Sequence, residues 1–287
     1  MEEKNKIQPS TLYLVGTPIG NLADISERAK KTLSEVDFIA AEDTRNTYKL
    51  LSCYGIKKEL VSYHEHNKHE AGERIVARLL AGESCALVTD AGMPAISDPG
   101  EDLVRLCAAS GIVTSVIPGA CAAVSALALS GICTKKFVFE GFLPANKSER
   151  KKRLDEIKDE RRTIIFYEAP HKLKATLSSL IECYGEKRRI SLCRELTKLN
   201  EEIERGDLLS ITSLYNEKEP RGEYVLILEG GDEAGVASGG ADYDQSLTPK
   251  ERVEKYASEG MQKMDAIKKV AKELGVPKSQ IYDLVSK

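Results

Sequence analysis

The residues best suited to chemistry fall in short segments that each begin where a β-type run ends. In order they are GTPIGN (16–21), AEDTRNT (41–47), DAGMPAISDPG (90–100), PGACAAVSALALSG (118–131), YEAPHK (167–172) and CRELTK (193–198). Loops at the carboxyl ends of parallel strands gather on one rim, where ligands bind. The glycines of GTPIGN are spaced G-x-x-x-G, so the segment is neither the dinucleotide fingerprint G-x-G-x-x-G nor a P-loop with its following Lys-Ser/Thr. NAD and ATP lose their best evidence, and a plain strand-to-helix turn stays open for this segment. In DAGMPAISDPG, Asp90 suits the acceptance of hydrogen bonds from an amine or hydroxyl of a small ligand, and Gly92 leaves room for the ligand body. Asp98 suits an N-cap for a helix over Gly100–Ser110. The small residues of 118–131 fit tight helix packing, a helix start whose free N–H groups meet a carboxylate, or both. Glu168 and His171, and likewise Arg194, Glu195 and Lys198, offer acid/base or phosphate-binding groups, or simply loop polarity. His64, His66 and His69 share no helix face and have no Cys beside them, so polar surface or RNA contact suits them better than zinc.

Strands and helices must hold these segments in place. The first two-thirds of the chain alternates short β-rich runs with amphipathic stretches, the pattern of an α/β sheet with crossover helices. Strands are predicted at 12–15, 38–41, 60–63, 86–89 and 114–117, and helical spacing recurs in Ile25, Ala29, Leu33 and Val36 and in Ile75, Val76, Leu79 and Leu80. A second set of strands at 137–139, 164–167, 190–193 and 224–228, with helices at 148–159 and 172–184, predicts a second α/β lobe. The lobes are assigned to 10–122 and 123–233. The Gly- and Asp-rich stretch that follows reads as a flexible linker over 234–247. A helical module is expected at 248–287, where Thr248, Pro249 and Glu251 approach a capping box and AIKKVAKELGVPKSQIYDLVSK reads helix, turn, helix.

Composition bounds the function. With 287 residues, 41% hydrophobic and 30% charged, the chain is neither wholly disordered, fibrous nor a disulfide miniprotein. Its longest weakly polar run, 120–131, is too short to span a bilayer, and the N-terminus lacks an apolar signal core. A cytoplasmic location without membrane attachment is therefore expected. The seven Cys include no C-x-x-C pair and read as buried reduced thiols. Net charge is −3, with −6 over 1–247 and +3 over 248–287, so a polyanion must be met by local patches. Arg45, Lys198 and the C-terminal module are the expected places.

Taken in order, TLYLVGTPIGNLADISERA, AEDTR, YHEHN, LVTDAGMPAISDPG, PGACAAVSAL, FEGFLP, FYEAPHK, CRELTK and GEYVLILEG resemble the class III methyltransferases of tetrapyrrole-methylase fold over nearly the full chain. Within that family the chain looks like the branch acting on bacterial small-subunit ribosomal RNA, down to the C-terminal module. The resemblance implies two α/β lobes with S-adenosylmethionine in the cleft between them. It also implies methylation of a cytidine ribose 2′-hydroxyl in the decoding region of 16S rRNA, the 30S subunit or its rRNA as partner, and a homodimer. By motif position it implies a cofactor shell of Pro18, Asp90, Gly92, Met93, Ile96, Cys121 and Ala122, completed from the second lobe by Tyr167 and Leu196. Relatives often carry a small hydroxyl residue where this chain has Cys121, which leaves a backbone contact there.

No metal is required for such a reaction, because methyl transfer from a sulfonium is an in-line displacement in which positioning can supply up to about 7–11 kcal/mol. A ribose hydroxyl is a poor nucleophile, so a base or an alkoxide-stabilising cation should add about 10²–10⁴-fold. Glu42, Arg45, Glu168 and His171 are the catalytic candidates. Two rival readings are a family member acting on a tetrapyrrole or other small acceptor, and a ligand-sensing DNA-binding regulator. The appended helical module argues against the first, and its small size against the second unless it dimerises.

Overall fold

The computed structural model describes residues 6–231 and 248–286, apart from Glu259 and Gly275. The chain divides into two compact units that break after Gly230. The expected linker at 234–247 lies outside the described residues.

The first unit opens with five parallel strands, β1 (Thr11–Val15), β2 (Phe38–Ala41), β3 (Glu59–Ser62), β4 (Cys85–Val88) and β5 (Val113–Ile117), in the order β3-β2-β4-β1-β5. The inner strands FIAA and CALV are buried throughout, as expected of strands covered on both faces. Helices α1 (Glu27–Glu35) and α2 (Thr44–Cys53) cover one face, packing Leu33 and Leu51 with Val15 and Ile39. On the other face α3 (Lys68–Leu80) and α4 (Gly100–Ala109) pack Ile75, Leu79 and Leu103 with Leu12 and Phe38. Each fully buried Leu stabilises the layers by roughly 1.5–3 kcal/mol. The helices that follow the neighbouring strands β2 and β4 lead away on opposite faces, which makes that gap the switch point where a parallel sheet opens a crevice.

Helix α5 (Ala122–Leu129) leads into a second sheet. Its strands are β6 (Phe137–Phe142), β7 (Thr163–Glu168), β8 (Arg189–Arg194), β9 (Glu202–Asp207) and β10 (Tyr224–Leu228), ordered β6-β7-β10-β8-β9. Only β6 and β7 run parallel. Helices α6 (Lys147–Ile157), α7 (Pro170–Tyr184) and α8 (Leu208–Glu217) bury Leu154, Leu177 and Ile211 against Phe166 and Leu226. Across the sheet, α5 packs Ala126 and Leu127 on Ile165 and Ile227. This is the mixed α/β, two-sheet architecture the sequence predicts, with β9 and α8 as unforeseen additions. The thiols need a correction: Cys85, Cys107 and Cys193 are buried, but Cys53 and Cys133 are exposed.

In the second unit, α9 (Pro249–Ser258), α10 (Lys263–Glu273) and α11 (Lys278–Ser286) surround Val253, Ile267, Val270, Ile281 and Val285. The expected cap forms, with Thr248 N donating to the Glu251 carboxylate at 2.7 Å and Glu251 N to Thr248 Oγ1 at 3.4 Å. The expected turn residue Gly275 lies outside the described residues.

Candidate active site

The rim loops of the first sheet are tied to one another. Thr17 N donates to Gly92 O at 3.0 Å and Gly92 N to Thr17 O at 3.2 Å, which pins the loop after β1 to the loop after β4. At Gly16 an added Cβ would lie 2.6 Å from Gly119 Cα, so only glycine lets the loops after β1 and β5 approach this closely. The second sheet is joined to this rim by two hydrogen bonds. Asn21 N donates to Thr197 Oγ1 at 3.1 Å, and Ala123 N donates to Tyr167 OH at 3.2 Å.

These loops enclose a cavity of about 650 Å³. Asp90, Gly92, Met93 and Ile96 enter it from the loop after β4, and Glu42 from the end of β2. Cys121 and Ala122 form its wall at the start of α5. From the second sheet come Tyr167, Glu168 and His171 at the β7–α7 junction and Leu196 after β8. Pro18 instead lines an adjoining recess of about 260 Å³ that shares Thr89 and Asp90 with the cavity. Arg45 lines neither space; its side chain is 85% exposed and its guanidinium pairs with Asp43 at 2.7 Å.

The carboxylates of the wall are in different states. Glu168 is buried and both its oxygens are engaged, by Ala169 N at 2.8 Å and Thr176 Oγ1 at 2.5 Å. Glu42 accepts from Thr89 Oγ1 at 2.8 Å through one oxygen, and its other oxygen has no donor among the described residues. Asp90 accepts from Asn46 Nδ2 at 2.9 Å. Asp98 accepts from Ala95 N and Gly100 N at 2.9 and 2.7 Å, so it secures the entry to α4 as expected, although Pro99 holds the N-cap position itself. Its second oxygen is buried without a hydrogen-bond partner.

Tyr167 is wedged by the edges of Phe139 and Phe142, with ring centroids at 4.9 and 5.6 Å. Burial, followed by the neighbouring Cys121, pushes its phenol up to about 12. Lys198 is paired with Glu195 and Glu223 at 2.9 and 2.8 Å, and Arg194 with Glu202 at 3.0 Å, so neither is a free phosphate-binding cation here. No group of three or more His, Cys, Asp or Glu among the described residues could hold a metal ion.

Sequence reasoning missed Ile19, Thr89, Phe142, Cys193 and Val225 in the cavity wall. Phe142 and Val225 lie within motifs quoted above, but nothing local says which face of a strand meets the cleft.

Residues 11–212 match the model for the Tetrapyrrole (Corrin/Porphyrin) Methylases, and the chain belongs to that family. The fold agrees. A uroporphyrin-III-C-methyltransferase from Thermus thermophilus superposes with a TM-score of 0.53 at 19% identity, over 77% of this chain and 94% of that one. A diphthine synthase does so with a TM-score of 0.58 at 14% identity, over 77% and 90%. Much closer in sequence are two proteins each called ribosomal RNA small subunit methyltransferase I. The one from Halalkalibacterium halodurans is 49% identical over 96% of this chain and 94% of the relative. That from Bacillus subtilis is 47% identical over 99% and 96%.

The protein is a methyltransferase, and S-adenosylmethionine is its cofactor. The cavity suits that group. Met93, Ile96, Leu196 and Val225 give it apolar walls, while the unpartnered buried oxygen of Asp98 favours a ligand that brings positive charge and N–H donors.

Proposed function

We propose that this protein methylates the ribose 2′-hydroxyl of a cytidine in the decoding region of small-subunit rRNA, acting in the cytoplasm as a homodimer on the 30S subunit or its rRNA. The observation that carries this reading is identity of 47–49%, over nearly the whole chain, to two relatives named for ribosomal RNA small subunit methylation. When bound, S-adenosylmethionine supplies an electrophilic methyl group on a sulfonium. Asp90, Gly92, Met93, Ile96, Cys121, Ala122, Tyr167 and Leu196 would hold it in the cavity, with Pro18 at the border. Glu42 is the proton acceptor, because Thr89 orients one oxygen and leaves the other open. Glu168, with both oxygens engaged, supports the wall at the head of α7, and His171 beside it lines the same cavity.

RNA affinity depends on phosphate contacts. The +3 module at 248–287 is suited to provide them, whereas Arg45 would first have to leave Asp43. The edge strand β5 exposes Val113 and Val116, and α5 exposes Val124 and Leu129, apolar surface of the kind a subunit partner covers. No helix among the described residues is long and apolar enough to cross a membrane.

The test is methyl transfer from labelled cofactor to 30S subunits and, in parallel, to tetrapyrrole precursors. Label in rRNA, placed on a cytidine ribose by mass spectrometry, is expected; label in the tetrapyrrole alone refutes the reading. Glu42→Gln should lower kcat by about 10²–10⁴-fold while cofactor affinity holds. Deleting 246–287 should weaken rRNA binding and spare cofactor binding, and unchanged rRNA affinity would count against the module's role.

A further inference from the structure

Apart from Pro18 and Asp90 at its border with the cofactor cavity, the 260 Å³ recess has no role in the reading above. It lies between α2 and the loop after β1, lined by Pro18, Gly20, Leu22, Asn46, Lys49 and Leu50. It shares Thr89 and Asp90 with the larger cavity, so occupants of the two spaces would be neighbours. We propose that this recess seats the nucleobase of the acceptor nucleotide, extruded from its stack, and that the exposed face of α2 holds the flanking strand. The proposal rests on the rRNA reading and specifies the part of the substrate that the site reads.

Four observations support it. Pro18, Leu22 and Leu50 offer apolar walls to a flat ring, and the space takes one base but no tetrapyrrole macrocycle. Asn46 is fixed by its bond to Asp90, which leaves Oδ1 as an acceptor with no donor among the described residues. That atom suits a base edge bearing an N–H donor, the kind of edge read in single-stranded RNA. Lys49 has no carboxylate partner among the described residues, unlike Lys198 and Lys218, so its charge is available to a phosphate. Finally, Tyr48 is 67% exposed on the same helix, three residues after Arg45 and next to Lys49. An uncovered aromatic beside an unpaired cation is an arrangement on which unstacked bases rest. Removing a base from its stack costs free energy that such a pocket and platform offset.

The experiment uses the full-length protein, S-adenosylmethionine and 30S subunits lacking the methyl group. Tyr48→Ala and Lys49→Ala each remove an exposed side chain, and Leu22→Trp fills the mouth of the recess. Each should raise KM for 30S subunits by about 10-fold or more, with cofactor Kd from calorimetry within about twofold of wild type. Lys49→Ala should also lower the slope of log affinity against log salt by about one. KM unchanged in all three, with wild type active, overturns the nucleobase assignment alone. Cofactor affinity falling in parallel with KM also overturns it and gives the recess to the cofactor. A wild-type protein that leaves 30S rRNA unlabelled removes the rRNA reading itself and this proposal with it.

Discussion

Gly16→Ala probes whether the close approach of two rim loops shapes the cofactor cavity. A Cβ at Gly16 would stand 2.6 Å from Gly119 Cα, 2.7 Å from Gly119 N and 2.8 Å from Met93 Sδ. Carbon atoms rest at roughly 3.5–4.0 Å, so the shortfall is about 1 Å. Two of the three neighbours are backbone, so no side-chain rotation relieves the clash and the loops after β1 and β5 must separate. Overpacking of this kind costs about 1–3 kcal/mol. At about 2–4 °C per kcal/mol for a unit of this size, Tm should fall by about 2–12 °C. The same displacement carries Met93, Cys121 and Ala122, all in the cavity wall, and a 1 Å misplacement can cost about 100-fold in rate.

Gly55→Ala is the control. Gly55 has φ +69° and open space around its missing Cβ, so this variant adds the left-handed penalty of about 1–2 kcal/mol without moving a rim loop. Thermal unfolding and calorimetric titration with S-adenosylmethionine separate the two effects. Both variants should melt lower, and only Gly16→Ala should bind the cofactor more weakly. Wild-type affinity in Gly16→Ala, or an equal loss in Gly55→Ala, would refute the reasoning.

Two further outcomes follow from the second sheet. Glu168→Ala should destabilise the fold by about 1–3 kcal/mol in urea unfolding, because it leaves Ala169 N and buried Thr176 Oγ1 without their acceptor. A large loss of kcat at wild-type stability would instead make Glu168 a reacting group. Tyr167 should remain a neutral phenol until about pH 12, because burial disfavours its anion. Its folded value lies above the unfolded value of about 10, so the stability it contributes is complete below about pH 10 and declines as pH rises through the folded value. Tyrosinate absorbance compared between wild type and Tyr167→Phe measures this, and ionisation of Tyr167 near pH 10 would contradict it.

Most of the sheet framework was legible because its strands are apolar runs closed by Gly or Pro, and the helices between them keep their period. Strand β9 escaped because EIERGD carries a single large aliphatic residue. It is an edge strand held by pairing with β8, and two of its acidic residues bond to Lys218 just after the next helix. Helix α8 starts at the residue after β9, with Asp207 as its cap, so no separate turn announces it. Eleven of the thirteen proposed site residues line one cavity, seven of them because strand-end loops of the parallel first sheet share a rim, and four because the second sheet is placed against that rim. What the sequence could not reveal was which groups were already occupied. Arg45 is engaged by Asp43 two positions before it, and Glu168 by Thr176 two helical turns later. Either acceptor or donor looks reactive until its partner is placed.

The distribution of backbone strain explains how two lobes can present one site. Among the described residues, five non-glycines have positive φ, and four of them occupy loops that reach the cavity: Ala95 and Ser97 after β4, Glu195 and Thr197 after β8. Each such conformation costs on the order of 1–3 kcal/mol and persists only where its surroundings over-determine it. The surroundings here are specific. Asp98 holds Ala95 N from two positions beyond Ile96, and Glu201 accepts from Thr197 N at 2.7 Å while Thr197 Oγ1 receives Asn21 N from the opposite lobe. The loop after β4 is thus held from within itself and the loop after β8 both from within and from the other lobe, and the strain is offset by the apolar layers of the two sheets. A cleft built in this way is shaped before its ligand arrives. Methyl transfer benefits from such a cleft because positioning the donor and acceptor lowers its barrier.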